Sequence, residues 1–155
     1  MERLFILLFL ITLLGCLSEN IPPDLEAEKE ALMVLHNNQR KAHMEKNVEL
    51  LLGDHYDDFV EVNRGFVRKP TREESTKRLQ SYFDAVDFIK WDDVSPPVFS
   101  FSDDGTMATS IVDKIVILKL KEEDNRLDTT YFAWLAVYKK DNGKWHLHRI
   151  GSTNR

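Results

Sequence analysis

The chain has 155 residues, 43% hydrophobic and 30% charged, enough for one core and too few for two comfortable domains. Six Gly, five Pro, 10% aromatic residues and no low-complexity stretch exclude a disordered or collagen-like chain. A formal net charge of -5, with both signs interleaved, leaves no basic stripe for nucleic acid, and a single cysteine excludes an internal disulfide or a Cys-rich metal site.

Leu4 to Leu14 is apolar except for Thr12, far short of the roughly 20 residues that span a bilayer. Arg3 gives a weakly basic start that Glu2 offsets, and Gly15 ends the run with a small residue, the pattern of a secretory signal over residues 1–15. The end of the run, Leu13-Leu14-Gly15-Cys16, resembles a bacterial lipobox, which implies lipid on Cys16 and an exported, membrane-anchored protein facing the periplasm or the cell exterior. An ordinary signal peptide that happens to contain Cys16 is the alternative. Residues 16–23 then form a tether ending in Pro22-Pro23, and the domain occupies residues 24–155.

Asp24 to about Glu45 lacks Gly and Pro and is rich in helix formers, with Leu25, Leu32, Leu35 and Ala42 near one face, so one long helix is predicted. Asn47 can cap a short second helix through Leu52, which Gly53 and Asp54 stop. Phe59 to Asn63 alternates as a strand before an Arg64-Gly65 turn, with Val60 and Val62 on one side and Phe59, Glu61 and Asn63 on the other; the alternation suggests burial of the valines but leaves the inner face open. Thr71 and Glu74 form a capping box for a third helix reaching about Ala85, with Tyr82 on its buried face. Beyond it the periodicity changes to strands: Phe88 to Trp91, Val98 to Ser102, Met107 to Leu120, Leu127 to Lys139 and Trp145 to Ile150. Asp104-Gly105 and Asn142-Gly143 are the hairpin turns.

The two long strands place apolar residues on both faces at Ile111-Val112, Ile115 to Leu118 and Tyr131 to Tyr138. The helices can cover only one face, so a homodimer through the outer sheet face is expected, the alternative being a monomer with an apolar but solvated face.

Asn47-Val48-Glu49-Leu50-Leu51-Leu52, then His55-Tyr56-Asp57-Asp58-Phe59-Val60, a third helix, and a terminal Val137-Tyr138-Lys139-Lys140-Asp141-Asn142-Gly143-Lys144-Trp145 resemble the nuclear transport factor 2-like superfamily, in its SnoaL-like and ketosteroid isomerase-like branch. The resemblance implies an α+β fold: a cone-shaped, strongly curved, mainly antiparallel sheet packed on three helices from the N-terminal half, with a pocket at the open end. It does not imply one activity, because the superfamily mixes isomerases, dehydratases, transport adaptors and binding domains.

Isomerase chemistry of that branch needs a carboxylate base near the end of the first strand and a phenol on the first helix. Alignment on Asp57-Asp58 puts Asn63 at the base position and Gln39 at the phenol position, and an amide takes no proton at neutral pH. The same alignment conflicts with the inward reading of Val60 and Val62, which turns Asn63 outward.

The candidate pocket-lining residues are His55, Asn63, Tyr82, Asp113 and Arg149. His55 stands where the family often keeps an aromatic residue near the pocket. Asp113 and Arg149 lie in strands beside apolar neighbours, where a charge must be paired or face a pocket. His146 and His148 share a strand face at a spacing that suits zinc, but no third ligand is identifiable and they read as solvated or interface residues, so no metal and no cofactor is expected. The favoured reading is a lipid-anchored domain that binds a small apolar or amphipathic molecule, or another protein, without catalytic apparatus. The alternatives are a cofactor-free SnoaL-like isomerase, lyase or hydrolase using His55, Asp113 or Tyr82 for proton transfer, and a structural accessory protein with a filled cone.

Overall fold

The computed structural model describes residues 22–155; the expected signal segment, Cys16 and all of the tether except Pro22-Pro23 lie outside the described residues. Among the described residues there are three helices and seven strands: α1 Leu25–Met44, α2 Val48–Leu52, β1 His55–Asn63, β2 Phe66–Arg68, α3 Arg72–Ala85, β3 Val86–Asp93, β4 Val98–Phe101, β5 Met107–Leu120, β6 Arg126–Asp141 and β7 Lys144–Asn154. None of these helices is long and apolar enough to cross a membrane.

Helix starts sit where side-chain oxygens meet unpaired backbone donors. Asp24 accepts from the Ala27 N–H at 3.2 Å and Asn47 from the Leu50 N–H at 2.9 Å. Thr71 Oγ1 accepts from the Glu74 N–H at 3.2 Å while Glu74 Oε2 accepts from the Thr71 N–H at 2.7 Å, completing the capping box. Arg64-Gly65 and Asn142-Gly143 turn with positive φ at both residues, as two-residue hairpins of this twist require.

The strands form one curved, unclosed sheet in the order β2-β1-β7-β6-β5-β3, with β4 also on β5. All neighbours are antiparallel except β1 and β7, which run parallel. β4 pairs with β5 over Ala108 to Ile111 and β3 pairs with it over Lys114 to Leu120, so both share one edge of β5. The α+β architecture with three helices from the N-terminal half therefore holds, and the sheet is mainly antiparallel.

Several boundaries differ from the sequence reading. β1 begins at His55 rather than Phe59, β2 has no counterpart among the predicted strands, and β7 continues to Asn154. Short, exposed β2 has no buried face to leave a hydrophobic period. Leu25, expected on the inner face of α1, is 46% exposed because it occupies the helix's first position.

The sheet's inner face carries the core in two clusters. One joins Val48, Leu52, Phe83, Val86, Phe88, Trp91, Val116 and Leu118; the other joins Leu32, Phe59, Ala108, Ala136, Tyr138, Trp145 and Leu147. Trp134 packs against both. Along β5 every second residue from Ala108 to Leu118 is buried, Lys114 included, so the continuous apolar run in the sequence resolves into one inner and one outer face. On the outer face, Ile111 lies opposite Leu135 and Val98, and all three are half-exposed or more.

Candidate functional site

Alternation along β1 determines what faces the inside. Phe59 is buried and Val62 is 45% exposed, so Phe59, Glu61 and Asn63 point inward and Val60 and Val62 outward. This decides the facing that the sequence left open: the cone interior at this end is partly polar and takes the face of Phe59, Glu61 and Asn63 over that of the two valines. His55 stands four residues before Phe59 and so shares its inner side of the strand, where its ring stacks on Phe59 at 4.2 Å; the pairing with β7 shifts register between His55 and Val60.

These residues line a cavity of about 510 Å³ whose walls draw on both core clusters. Gln39 and His43 enter from the last turns of α1, Leu51 and Leu52 from α2, and Arg78, Leu79 and Tyr82 from α3. Trp91, Val116, Phe132, Trp134, Leu147, Ile150 and Ser152 complete it from the sheet. The lining is mostly apolar and aromatic with a few polar groups, the usual make-up of a small-molecule site, and the volume falls within the common range of roughly 300–1,000 Å³.

The polar groups have definite states. His43 Nδ1 lies 2.7 Å from the Gln39 carbonyl, which can only accept, so Nδ1 carries the proton and Nε2 is left as an acceptor. The His43 ring stacks on Trp91 at 4.3 Å and meets Phe83 and Phe88 edge-on. Burial, offset in part by that hydrogen bond and aided by the Lys114 cation, pushes its pKa down to about 4. Burial, with the Arg72 cation next, likewise pushes His55 down to about 4, so both rings are neutral at pH 7. Burial pushes the Tyr82 phenol up to about 12.

Glu61 is held by the Arg78 fork at 2.7 and 2.9 Å, with Arg68 at 3.7 Å. Asn63 differs from all of these, because its Oδ1 is buried and has no hydrogen-bond partner among the described residues.

Of the sequence candidates, the structure gathers His55, Asn63 and Tyr82 around the cavity and places Asp113 and Arg149 elsewhere. Asp113 lies on the outer face of β5, where Oδ1 accepts from the Ser95 N–H at 3.1 Å and the Ser95 hydroxyl at 2.7 Å, tying down the Pro96-Pro97 link. Arg149 is turned outward by a bulge in β7, where Val137 pairs with Arg149 but Tyr138 pairs with Leu147. It donates to the Asp58 carbonyl at 2.8 Å, while His148 pairs with the Asp58 carboxylate at 2.8 Å. Arg149 above all holds the Asp58 carboxyl below its ordinary pKa. A charge needing a partner in a strand found that partner at the surface in both cases. His146 and His148 both meet the Tyr56 ring edge-on, and no group of three or more His, Cys, Asp or Glu among the described residues is arranged to hold a metal ion.

The sequence reading did not single out His43. Its signal was available as the series Leu32, His36, Gln39 and His43 at helical spacing, which places polar side chains on the buried stripe of α1. His36 is 2% exposed and meets both Asp93 oxygens at 3.1 and 2.9 Å, and Asp93 also accepts from Lys114.

No family model matches the chain, and a search of curated proteins finds no match. Solved structures do match. An NTF2-like protein from Cytophaga hutchinsonii is 16% identical over 82% of this chain and 98% of its own, with a TM-score of 0.66. A ketosteroid isomerase-like protein from Erwinia carotovora atroseptica is 14% identical over 82% of this chain and 95% of its own, at 0.65. A hexachlorocyclohexane dehydrochlorinase, LinA type 2, is 15% identical over 85% of this chain and 88% of its own, at 0.71. At such identities these likenesses concern the fold.

Proposed function

We propose that this chain, whose fold is that of the nuclear transport factor 2-like superfamily, is a binding domain for a small apolar or amphipathic molecule held in the cavity between α1, α3 and the sheet. The observation that carries the reading is the cavity itself: about 510 Å³, walled by Trp91, Trp134, Phe132 and Phe59, and left unfilled by the side chains of the described residues. A filled cone would have favoured the scaffold reading.

Binding is preferred to catalysis because the one carboxylate lining the cavity among the described residues, Glu61, is engaged by Arg78, and the inward group at the end of β1 is an amide. A cofactor-free isomerase, lyase or hydrolase is the second reading. It rests on the neutral His43 and His55, either of which offers a lone pair, and on the dehydrochlorinase among the structural neighbours.

N-phenylnaphthylamine, a neutral apolar fluorophore, should bind saturably and quench Trp91 and Trp134. Ser152→Trp, which fills the cavity from β7, should weaken it about tenfold or more. Equal binding by this variant would place the probe elsewhere and remove the proposal.

The reading extends to an exported form anchored through lipid on Cys16, from the sequence alone, and to a homodimer through the outer sheet face around Ile111, Leu135 and Val98. Mass spectrometry of the protein from its native cell should find a diacylglyceryl group on Cys16, and an unmodified amino terminus beyond it would discard the anchor. Sedimentation at micromolar concentration should give twice the monomer mass, and a monomer would discard the dimer.

A further inference from the structure

The fold determines which hydrogen-bonding sense His43 presents to the cavity. The ring belongs to the last turn of α1, one turn beyond Gln39, whose carbonyl takes the Nδ1 proton at 2.7 Å and leaves the lone pair on Nε2. It is clamped in that pose, stacked on Trp91 at 4.3 Å and edge-on to Phe88 at 5.4 Å and Phe83 at 5.7 Å. The only buried side-chain nitrogen or oxygen without a partner among the described residues is Asn63 Oδ1. His43 Nε2 has no partner there either, so it keeps accessible surface, and that surface opens on the cavity that His43 lines. A ligand that covers this lone pair without a donor strips its water and returns nothing, whereas an O–H replaces the lost bond.

The other polar groups of the lining make no such demand. No hydrogen bond among the described residues fixes the His55 tautomer, so that ring meets a donor or an acceptor alike. Glu61 and Arg78 engage each other through both carboxylate oxygens, at 2.7 and 2.9 Å, so neither stands free as the counter-charge of an ionic ligand. A carboxylate or an ammonium among Phe59, Phe132 and Trp134 would lose its hydration without an ionic partner.

We propose that the cavity selects an uncharged apolar alcohol or phenol, whose hydroxyl donates to His43 Nε2. This assignment rests on the binding reading above and adds the chemical class of the ligand and the residue that reads it.

The test displaces N-phenylnaphthylamine with two isomers, decanol and methyl nonyl ether, which contain the same atoms although only decanol has a donor. Decanol should displace the probe at about one-tenth of the concentration that the ether needs, the equivalent of one neutral hydrogen bond. In His43→Phe, which keeps a ring to stack on Trp91, the two isomers should act at equal concentrations. The unsubstituted protein gives a second readout that needs no variant: with isotope-labelled histidine, the nitrogen resonance of His43 Nε2 should move upfield on adding decanol and stay in place on adding the ether. Equal displacement by the two isomers, displacement by neither, or an Nε2 resonance indifferent to decanol would overturn the assignment, while saturable probe binding kept the binding reading standing. A preference for decanol that persists in folded His43→Phe would do the same. Absence of saturable probe binding would overturn both.

Discussion

Replacing Asp93 by Ala should lower the free energy of unfolding by about 3–5 kcal/mol, because it leaves the Lys114 ammonium buried without its counter-charge. Lys114 is 1% exposed and its Nζ has the Asp93 carboxylate as partner, with the Trp91 ring face at 4.0 Å. Asp93 is shared with His36, so the same substitution also orphans a 2% exposed imidazole. Burial alone would raise the Asp93 pKa; the hydrogen bonds from Lys114 and His36 outweigh it and hold the carboxyl below its ordinary value.

The diagnostic comparison is with Asp93→Ala/Lys114→Met, measured by urea unfolding. If the uncompensated charge is the cause, the double variant should recover most of the loss, since an apolar side chain of similar length suits a core that already holds Trp91 and Trp134. A double variant as unstable as Asp93→Ala would show that the loss comes from packing or from His36 instead.

The second large effect is a loss of stability in mild acid. His43 and His55 fall from an ordinary 6.5 to about 4 in the folded protein, chiefly through burial. Between those values the unfolded chain binds protons that the folded chain refuses. Stability is therefore flat above pH 6.5, falls as the pH drops toward 4, and levels for these two groups once the folded protein is protonated as well. Each histidine accounts for on the order of 3 kcal/mol at the bottom of that window. His36, also lowered by burial above all, acts in the same direction. Asp93, whose pKa is depressed, keeps its contribution through this window and loses it only at lower pH.

Urea midpoints at pH 7, 6, 5 and 4 should fall progressively. His43→Phe, which keeps a ring to stack on Trp91, should flatten the slope by up to one proton. A midpoint unchanged between pH 7 and 5 would contradict neutral burial of both rings.

Local chemistry alone determined a good part of this protein. Asn47, the Thr71 and Glu74 box, Arg64-Gly65 and Asn142-Gly143 act on the backbone within a few residues, so the start of α2, the start of α3 and two hairpin turns were legible before any tertiary contact was considered. The order of helices and strands carried the fold for the same reason: a change of period from 3.6 to 2 is written residue by residue. His55 and Asn63 were legible as candidates only through the family resemblance, whereas Tyr82 stood out as a polar group on the buried face of a periodic helix.

Only the tertiary structure decided which way those groups face. The parallel pairing of β1 with β7 joins segments some ninety residues apart and sets Phe59, Glu61 and Asn63 inward, a facing that the alternation with Val60 and Val62 left open. The bulge in β7 swings Arg149 to Asp58 on the outside, and Ser95 claims Asp113 across the β3 to β4 link. Conversely, α1 delivers His43 to the cavity and His36 to Asp93, neither of which its local sequence names as a partner. A strand carries the same alternation whichever face is buried. The choice between the faces is made by what packs against them, and that information is distributed over the whole chain.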